Sequence, residues 1–313
     1  MKQIQDVAPT SLTRCVGQKS VVDQLMVALD ASFADGQKMD DCLLVGPPGC
    51  GKSQFASVVA QELATDFQEV LGQSIQTPAD LNALLLGAKN KSVIHIDEAH
   101  ELRKEFQTAL YLTLDKRTVF VNGGKNIQSI PIADFTLLLS TTDEYCLLQP
   151  LRDRMKLVLR FQFYTNEELT QLLLYRIRGL DWDVREELLP LIASRSRGTP
   201  RLALRLLQSC RRCTRAVGET TITIDHLQRA CALEDIDSLG LGPTEQQYLR
   251  ILADGPSRLN VIASMIGLPA RTVSQVTEPF LVRAGLVVKD DQGRRQLTSK
   301  GRDHLSETSN EDV

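Results

Sequence analysis

No run in this 313-residue chain approaches the ~18 consecutive apolar residues of a membrane-spanning helix. The opening Met1-Lys2-Gln3-Ile4-Gln5-Asp6 lacks the apolar segment of a secretory signal, so a cytoplasmic protein with no membrane partner is the expectation. Cysteines number seven, an odd count scattered along the chain, which argues against a disulfide framework and for a reducing compartment. Cys210 and Cys213 form a lone CxxC without the four ligands that tetrahedral zinc needs, and read as two thiols one helical turn apart. The four histidines, at 95, 100, 226 and 304, show no HExxH spacing, which excludes a zinc protease of that type. Aromatic residues are only 5%, and none interleave with Lys289, Arg294, Arg295 and Lys300, so stacking of single-stranded bases is not expected there. Internal repeats and low-complexity tracts are absent.

What remains is ordinary globular usage, 42% hydrophobic and 24% charged, enough to bury real cores. The length predicts two domains, or three small ones. Net charge is −3, so the chain as a whole is no polycation, but its charge is uneven. Between Arg195 and Arg215 stand seven arginines and no acid. From Pro243 to Arg302 nine Lys/Arg face five Asp/Glu, a net of +4, whereas residues 303–313 carry four acids and no Lys/Arg. That last stretch reads as an acidic tail.

The first part of the chain alternates helix and strand signals. Ser20–Leu29 and Lys52–Leu63 have helical apolar spacing, while Asp41–Val45, Ser92–Ile96 and Phe135–Leu139 are buried-type strands, together predicting an α/β fold with a parallel sheet and crossover helices. Thr118–Val121, Asn122-Gly123-Gly124 and Ile127–Ile132 read as a β-hairpin. Strand signals then stop, and Asn166–Ile177, Val184–Ala193 and Arg201–Cys213 predict a small all-α domain. After the linker Gly240–Pro243 come three short helices, Thr244–Ala253, Leu259–Ile266 and Ala270–Thr277. Strands Leu286–Lys289 and Arg294–Leu297 follow around the turn Asp290–Gly293, which is a winged-helix outline.

Gly46-Pro47-Pro48-Gly49-Cys50-Gly51-Lys52-Ser53 satisfies GxxxxGK[ST] between a strand and a helix. Its glycines let backbone N–H groups wrap phosphates, and the helix start adds partial positive charge. Lys52 is placed to reach the β- and γ-phosphates, and the Ser53 hydroxyl to ligate Mg²⁺. Gly46, Gly49, Gly51, Lys52, Ser53 and Gln54 are the candidate ATP cradle. Val93-Ile94-His95-Ile96-Asp97-Glu98 supplies an apolar strand ending in two acids, Asp97 to hold Mg²⁺ and Glu98 to polarise an attacking water. His95, at an alternating strand position, reads as a core or interface histidine. Thr199-Pro200-Arg201 reads as a helix start, where an arginine opposes the helix dipole and so suggests an anion in front of it.

With these motifs in hand, the sequence resembles the AAA+ ATPases and, more closely, the RuvB family of motors that drive Holliday-junction branch migration. The likeness runs from about Val7 to Leu305. It is carried by Val16-Gly17-Gln18, the phosphate loop, Asp97-Glu98-Ala99-His100, Ser140-Thr141-Thr142, Pro150-Leu151-Arg152-Asp153-Arg154, Phe163-Tyr164, Arg195-Ser196-Arg197-Gly198-Thr199-Pro200-Arg201 and Glu278-Pro279-Phe280-Leu281. The resemblance implies an AAA+ P-loop core at 1–162, a helical lid at 163–238, a winged-helix domain at 239–305 and a tail at 306–313. By that resemblance Thr141 or Thr142 senses the γ-phosphate, Arg154 is an arginine finger reaching into a neighbour's nucleotide, Tyr164 lines the adenine side and Arg201 is a second sensor. It also implies a hexameric ring, a DNA contact by Arg294, and a RuvA-like junction-binding partner docked on the hairpin; Lys289, beside the same turn, is placed by its charge to contact DNA phosphate.

Four positions depart from the family pattern. Ala8 replaces an arginine that helps hold nucleotide, and Asp143 stands where an arginine is usual. The hairpin between Thr118 and Phe135 is about four residues short of the family's, judged by the resemblance. The wing reads Lys289-Asp290-Asp291-Gln292-Gly293-Arg294 instead of an arginine-rich string, and its acids repel phosphate. A competing expectation is therefore an ATP-gated protein remodeller or scaffold whose winged helix docks a protein. The Asp-Glu-Ala-His string also matches a helicase superfamily built from two RecA-like halves, but only one phosphate-site half fits here. A clamp-loader subunit would end in a helical collar instead of a wing.

Overall fold

The computed structural model describes residue 4 and residues 6–122 and 127–311. The chain divides into two compact units, Met1–Asp181 with Thr199–Arg201, and Trp182–Gly198 with Leu202–Val313.

In the first unit, α1 (Lys19–Asp35) is followed by β1 (Cys42–Val45), α2 (Lys52–Glu62), β2 (Phe67–Leu71), α3 (Pro78–Leu86), β3 (Val93–Asp97) and α4 (Lys104–Lys116). Then come β4 (Thr118–Asn122), β5 (Ile127–Pro131), β6 (Thr136–Thr141), the short α5 (Gln149–Arg152), β7 (Leu157–Arg160) and α6 (Asn166–Leu180). Five strands form one sheet in the order β2-β3-β6-β1-β7, every pair parallel. All six residues of β6 are buried, and β1 and β3 are buried along nearly their whole length, as expected for strands covered by helices on both faces. Leu43, Ile94, Ile96, Leu137 and Leu139 from these strands form the core with Phe106 and Leu110 of α4. Strands β4 and β5 pair antiparallel, Thr118 opposite Pro131, so the expected hairpin is present; its turn, Gly123-Gly124 onward, lies outside the described residues.

Caps explain where the helices begin and end. α3 and α6 open with capping boxes, Thr77 with Asp80 and Thr165 with Glu168, each satisfying two orphan amides. α1 runs past the expected Leu29 to Asp35, because nothing breaks it before Gly36, whose φ of 63° closes the helix at low steric cost. α6 packs within the first unit. Its Arg176 donates to the Ile4 carbonyl at 3.4 Å, and Gly179 packs so closely on Val7 that an added Cβ would lie 3.0 Å from it.

In the second unit, α7 (Leu188–Ser194), α8 (Pro200–Ala216) and α9 (Ile224–Glu234) are followed by α10 (Pro243–Ala253), α11 (Leu259–Ile266), α12 (Ala270–Thr272) and α13 (Glu278–Arg283). β8 (Val287–Lys289), β9 (Arg295–Leu297) and α14 (Ser299–Glu311) complete it. The expected helix Ala270–Thr277 continues to Arg283 through one wide turn at Val273–Thr277. Pro279 accounts for the widening, since it brings no N–H to the ladder and its ring crowds the carbonyl one turn back. β8 and β9 pair antiparallel as the two-stranded wing. The stretch read as an acidic tail is helical as far as Glu311.

Glu278 is the polar centre of the winged-helix core. Its side chain is 3% exposed and meets Lys289 Nζ at 2.6 Å and Arg295 Nε at 2.9 Å, while the Tyr248 hydroxyl donates to it at 3.2 Å. Burial alone would raise its pKa, but the hydrogen bonds and charges of Arg295 and Lys289 win and hold it below the usual carboxylate value. Removing one partner of a buried pair strands the other. We expect Glu278→Ala to cost about 3–5 kcal/mol of winged-helix stability in urea unfolding. A depressed folded pKa also means that the carboxylate's contribution is fully present above the unfolded value near ~4.3 and is lost as pH falls through the folded one. The winged-helix transition of the wild-type chain should therefore weaken between about pH 5 and pH 3, with part of that acid sensitivity missing in Glu278→Gln.

Candidate nucleotide site

The parallel register brings three chain segments to one edge of the sheet. Val45 pairs with Thr141 and Ile96 with Leu139, so the phosphate loop, the acidic pair and the two threonines all emerge at the carboxyl ends of adjacent strands, where open α/β sheets bind ligands. Within the loop, Gly49 and Gly51 take φ values of 78° and 93°, open to glycine without steric cost. At Gly46 an added Cβ would lie 2.6 Å from the Phe161 carbonyl oxygen. α2 starts at Lys52 with no acid in its first turn, leaving its positive end uncompensated.

Lys52 is buried, 6% exposed, and its ammonium donates to the carbonyls of Gly46 at 2.8 Å and Pro47 at 3.0 Å. Burial lowers its pKa, against the opposing pull of Glu98 and Asp97. The Ser53 hydroxyl donates to Asp97 Oδ2 at 2.7 Å, joining α2 to β3. The Glu98 amide donates to Asp97 Oδ1 at 2.9 Å. Glu98 itself adopts left-handed backbone angles (φ 50°, ψ 49°), uncommon for a non-glycine residue and concentrated at functional turns. Gln54 donates to the Pro9 carbonyl at 3.2 Å, beside Ala8.

The other expected contributors fall into three groups. Tyr164 and Arg201 both lie against the loop. Tyr164 is buried, its hydroxyl reaches the Cys50 carbonyl at 3.5 Å, and its ring fills the space over Gly17, where a Cβ would be 2.7 Å away. Arg201 is exposed at the start of α8, with its amide donating to the Gly49 carbonyl at 3.4 Å. The two threonines differ sharply: Thr141 is fully buried and Thr142 exposed. The Thr141 hydroxyl donates to the Asp143 carbonyl, accepts from the Asp143 amide, both at 3.0 Å, and lies 3.1 Å from His100 Nδ1.

The remaining cations are internally paired. Arg154 Nε donates to Asp115 Oδ1 at 2.7 Å, its Nη2 donates to Asp115 Oδ2, and Nη1 reaches the Pro150 carbonyl. Its guanidinium also lies over the Tyr111 ring, 4.8 Å from the centroid. The hydrogen bond from Arg154 holds the Asp115 carboxyl below its ordinary range. Lys289 is bound to Glu278, and Arg294 Nε meets Asp290 Oδ2 at 2.8 Å. Both wing cations that sequence assigned to DNA thus carry a carboxylate partner of their own. Asp115 escaped sequence reasoning, and Glu278 was read only as part of a family motif, because no spacing rule pairs either acid with its cation along the chain. Asp290 was visible as an acid, but not as the clamp that its turn geometry makes of it.

A five-stranded parallel sheet bearing this loop, with Ser53 tied to Asp97 and an acid beyond it, defines an AAA+ ATPase of the P-loop class. Comparison with known proteins is more specific. Residues 7–161 match the Holliday junction DNA helicase RuvB P-loop domain, 164–237 the RuvB AAA lid domain, and 238–306 the RuvB C-terminal winged helix domain. The Holliday junction branch migration complex subunit RuvB of Kosmotoga olearia is 34% identical over 95% of this chain and 89% of its own. That of Thermotoga petrophila is 33% identical over 96% and 92%. The solved Thermotoga maritima RuvB Holliday junction branch migration motor superposes with a TM-score of 0.83 at 32% identity, covering 97% of this chain and 99% of that one. The chain belongs to the RuvB family.

The tight seat of Gly46 yields a test. Gly46→Ala must push its methyl into the Phe161 backbone, which displaces the loop without touching the core strands. A fluorescent ATP analogue should bind at least ~10-fold more weakly, a loss of about 1.4 kcal/mol, while the thermal unfolding midpoint moves by only a few degrees.

Proposed function

We propose that this chain is an ATP-driven DNA motor of the RuvB type, a homohexameric ring that translocates duplex DNA and drives branch migration at four-way junctions in recombination and repair. It would be built as a P-loop core at 1–162, a lid at 163–238 and a winged helix at 239–305. The observation that carries the reading is the Ser53–Asp97 hydrogen bond of 2.7 Å beside the buried Lys52, with Glu98 next in the chain. Two hard oxygen donors at that distance suit Mg²⁺, and Ser53 and Asp97 are the residues that would hold it. Bound there, the ion would neutralise phosphate charge.

Lys52, released from its two carbonyls, meets the β- and γ-phosphates, and the amides of Gly49, Gly51 and Lys52 surround them. Tyr164 lines the adenine side, Gln54 supports the cradle and Arg201 approaches from the start of α8. Glu98 takes a proton from water as its oxygen bonds the γ-phosphorus, and the β–γ bridging bond breaks to leave ADP and phosphate. Thr142 is exposed and carries the free hydroxyl for sensing that phosphate, in preference to the committed Thr141. Arg154 acts on the neighbouring subunit's nucleotide once it leaves Asp115. Lys289 and Arg294 contact DNA phosphates, weakened by their carboxylate partners. The hairpin, with Phe120 47% and Ile130 37% exposed, is the candidate docking face for a RuvA-like junction-binding protein.

The paired wing cations favour one second reading, an ATP-gated protein remodeller whose winged helix docks a protein. ATP turnover with and without synthetic four-way-junction DNA separates the two. We expect junction-stimulated turnover, lost in Glu98→Gln and reduced ~10³-fold or more in Arg154→Ala. Turnover indifferent to DNA would favour the remodeller, and tight ATP binding with no turnover a scaffold. Native mass spectrometry with ATP and Mg²⁺ should give a hexamer; a strictly monomeric species at micromolar protein would count heavily against the ring.

A further inference from the structure

His100 carries no role in the reading above, yet its ring lies between two of the site's principal residues. After Asp97 the left-handed turn at Glu98 leads into a single 3₁₀ turn, Ala99–Glu101, which swings His100 back over the end of β6. The ring is largely covered, 19% exposed, with Nδ1 3.4 Å from Glu98 Oε2 and Nε2 3.6 Å from Glu101 Oε1. The same Nδ1 lies 3.1 Å from Thr141 Oγ1.

Hydrogen-bond accounting fixes which way this contact runs. A hydroxyl has one proton and two lone pairs. The Thr141 proton goes to the Asp143 carbonyl, and one lone pair takes the Asp143 amide. Only a lone pair remains for His100, so Nδ1 is the donor and carries hydrogen. The same nitrogen lies 3.4 Å from Glu98 Oε2, an electrostatic approach beside its hydrogen bond to Thr141. A ring pinned by a saturated hydroxyl on β6 therefore lies against the acid at the end of β3, the next strand in the sheet.

We propose that His100 is a positioning residue that ties the orientation of the Glu98 carboxylate to the end of β6 through Thr141. It acts through Glu98. Movement of the Thr141–Thr142 strand end, when a phosphate engages there, is passed to Glu98 through the His100 ring. The inference rests on Glu98 being the base of ATP hydrolysis, and its test separates the two claims.

The test measures kcat, KM and nucleotide affinity for His100→Ala, His100→Asn, Thr141→Val and the His100→Ala/Thr141→Val double variant, beside Glu98→Gln. An asparagine amide nitrogen occupies the place of Nδ1, so His100→Asn keeps the donor and guards against a fold that collapses without the ring. His100→Ala should lower kcat roughly 10- to 100-fold, the scale of a misplaced catalytic group, with nucleotide affinity changed less than about 2-fold. His100→Asn should recover most of that loss. The double variant should be no slower than His100→Ala, since coupled residues are non-additive. A kcat for His100→Ala equal to wild type, an His100→Asn no better than alanine, or strict additivity with Thr141→Val would each overturn the proposal. Glu98→Gln reports on the reading beneath it: turnover surviving in that variant sinks the hydrolysis assignment, whereas turnover lost there but normal in the His100 variants sinks only this inference.

Discussion

Everything at the candidate site depends on β6 lying between β1 and β3 in parallel register. A strand buried along its whole length has no face to give to water, so its side chains are fixed by packing and its carboxyl end becomes the first place where polar chemistry is affordable. Because β1 and β3 are its direct neighbours, the loop after one and the acids after the other emerge beside Thr141. A one-residue slip would turn each strand's side chains to the opposite face. It would also move Asp97 out of reach of Ser53. The 2.7 Å contact between those two side chains is thus a readout of register, made possible by apolar residues that never meet a nucleotide.

A second theme is the private partnering of cations. Arg154, Lys289 and Arg294 were expected to act on phosphates outside their own subunit, and each is held by a carboxylate of its own chain. These partners are not equivalent. Asp115 and Asp290 are exposed or partly exposed acids, and ion pairs in water contribute little, about 0–1 kcal/mol, so a phosphate can displace them. Glu278 is nearly inaccessible and shared with Arg295 and Tyr248, so Lys289 leaves it only at the expense of a buried network. Arg201 is the contrast, exposed against the phosphate loop and without an ion pair among the described residues.

How much of this was legible in the sequence follows the same physics. The phosphate loop, β1, β3 and β6 were readable because fully buried strands are continuous apolar runs and the glycine spacing is set by backbone geometry. β2 and β7 were missed: Phe67–Leu71 is only partly buried and interrupted by polar residues, and Leu157–Arg160 is an edge strand with two exposed positions. The end of α14, from residue 303 on, was read as a tail because its polar, acidic sequence shows no apolar period. Resemblance could assign γ-phosphate sensing to the pair Thr141 and Thr142 but could not divide it. Which hydroxyl is already committed, that of Thr141 to Asp143, is a property of three dimensions. The pairings of Asp115 and Glu278 were invisible for the same reason.

The buried histidine of β3 shows why geometry must be weighed with access. His95 Nδ1 lies 3.0 Å from Glu69 Oε1 and Nε2 lies 2.7 Å from Ser140 Oγ. A carboxylate only accepts, so Nδ1 carries the proton, and in a neutral ring Nε2 accepts from the serine. In order and distance this is the acid–base–nucleophile line of a hydrolase. Yet His95 and Ser140 are both 0% exposed, on adjacent strands in the middle of the sheet, and no substrate can approach the serine. The three groups work instead as a clamp across β2, β3 and β6, satisfying polar atoms that would otherwise be costly to bury and fixing the strand that leads to Thr141. His100, five residues on, has similar hydrogen-bonding capacity but stands at the open edge of the sheet beside Glu98. What separates the clamp from the positioning residue is where each ring meets water.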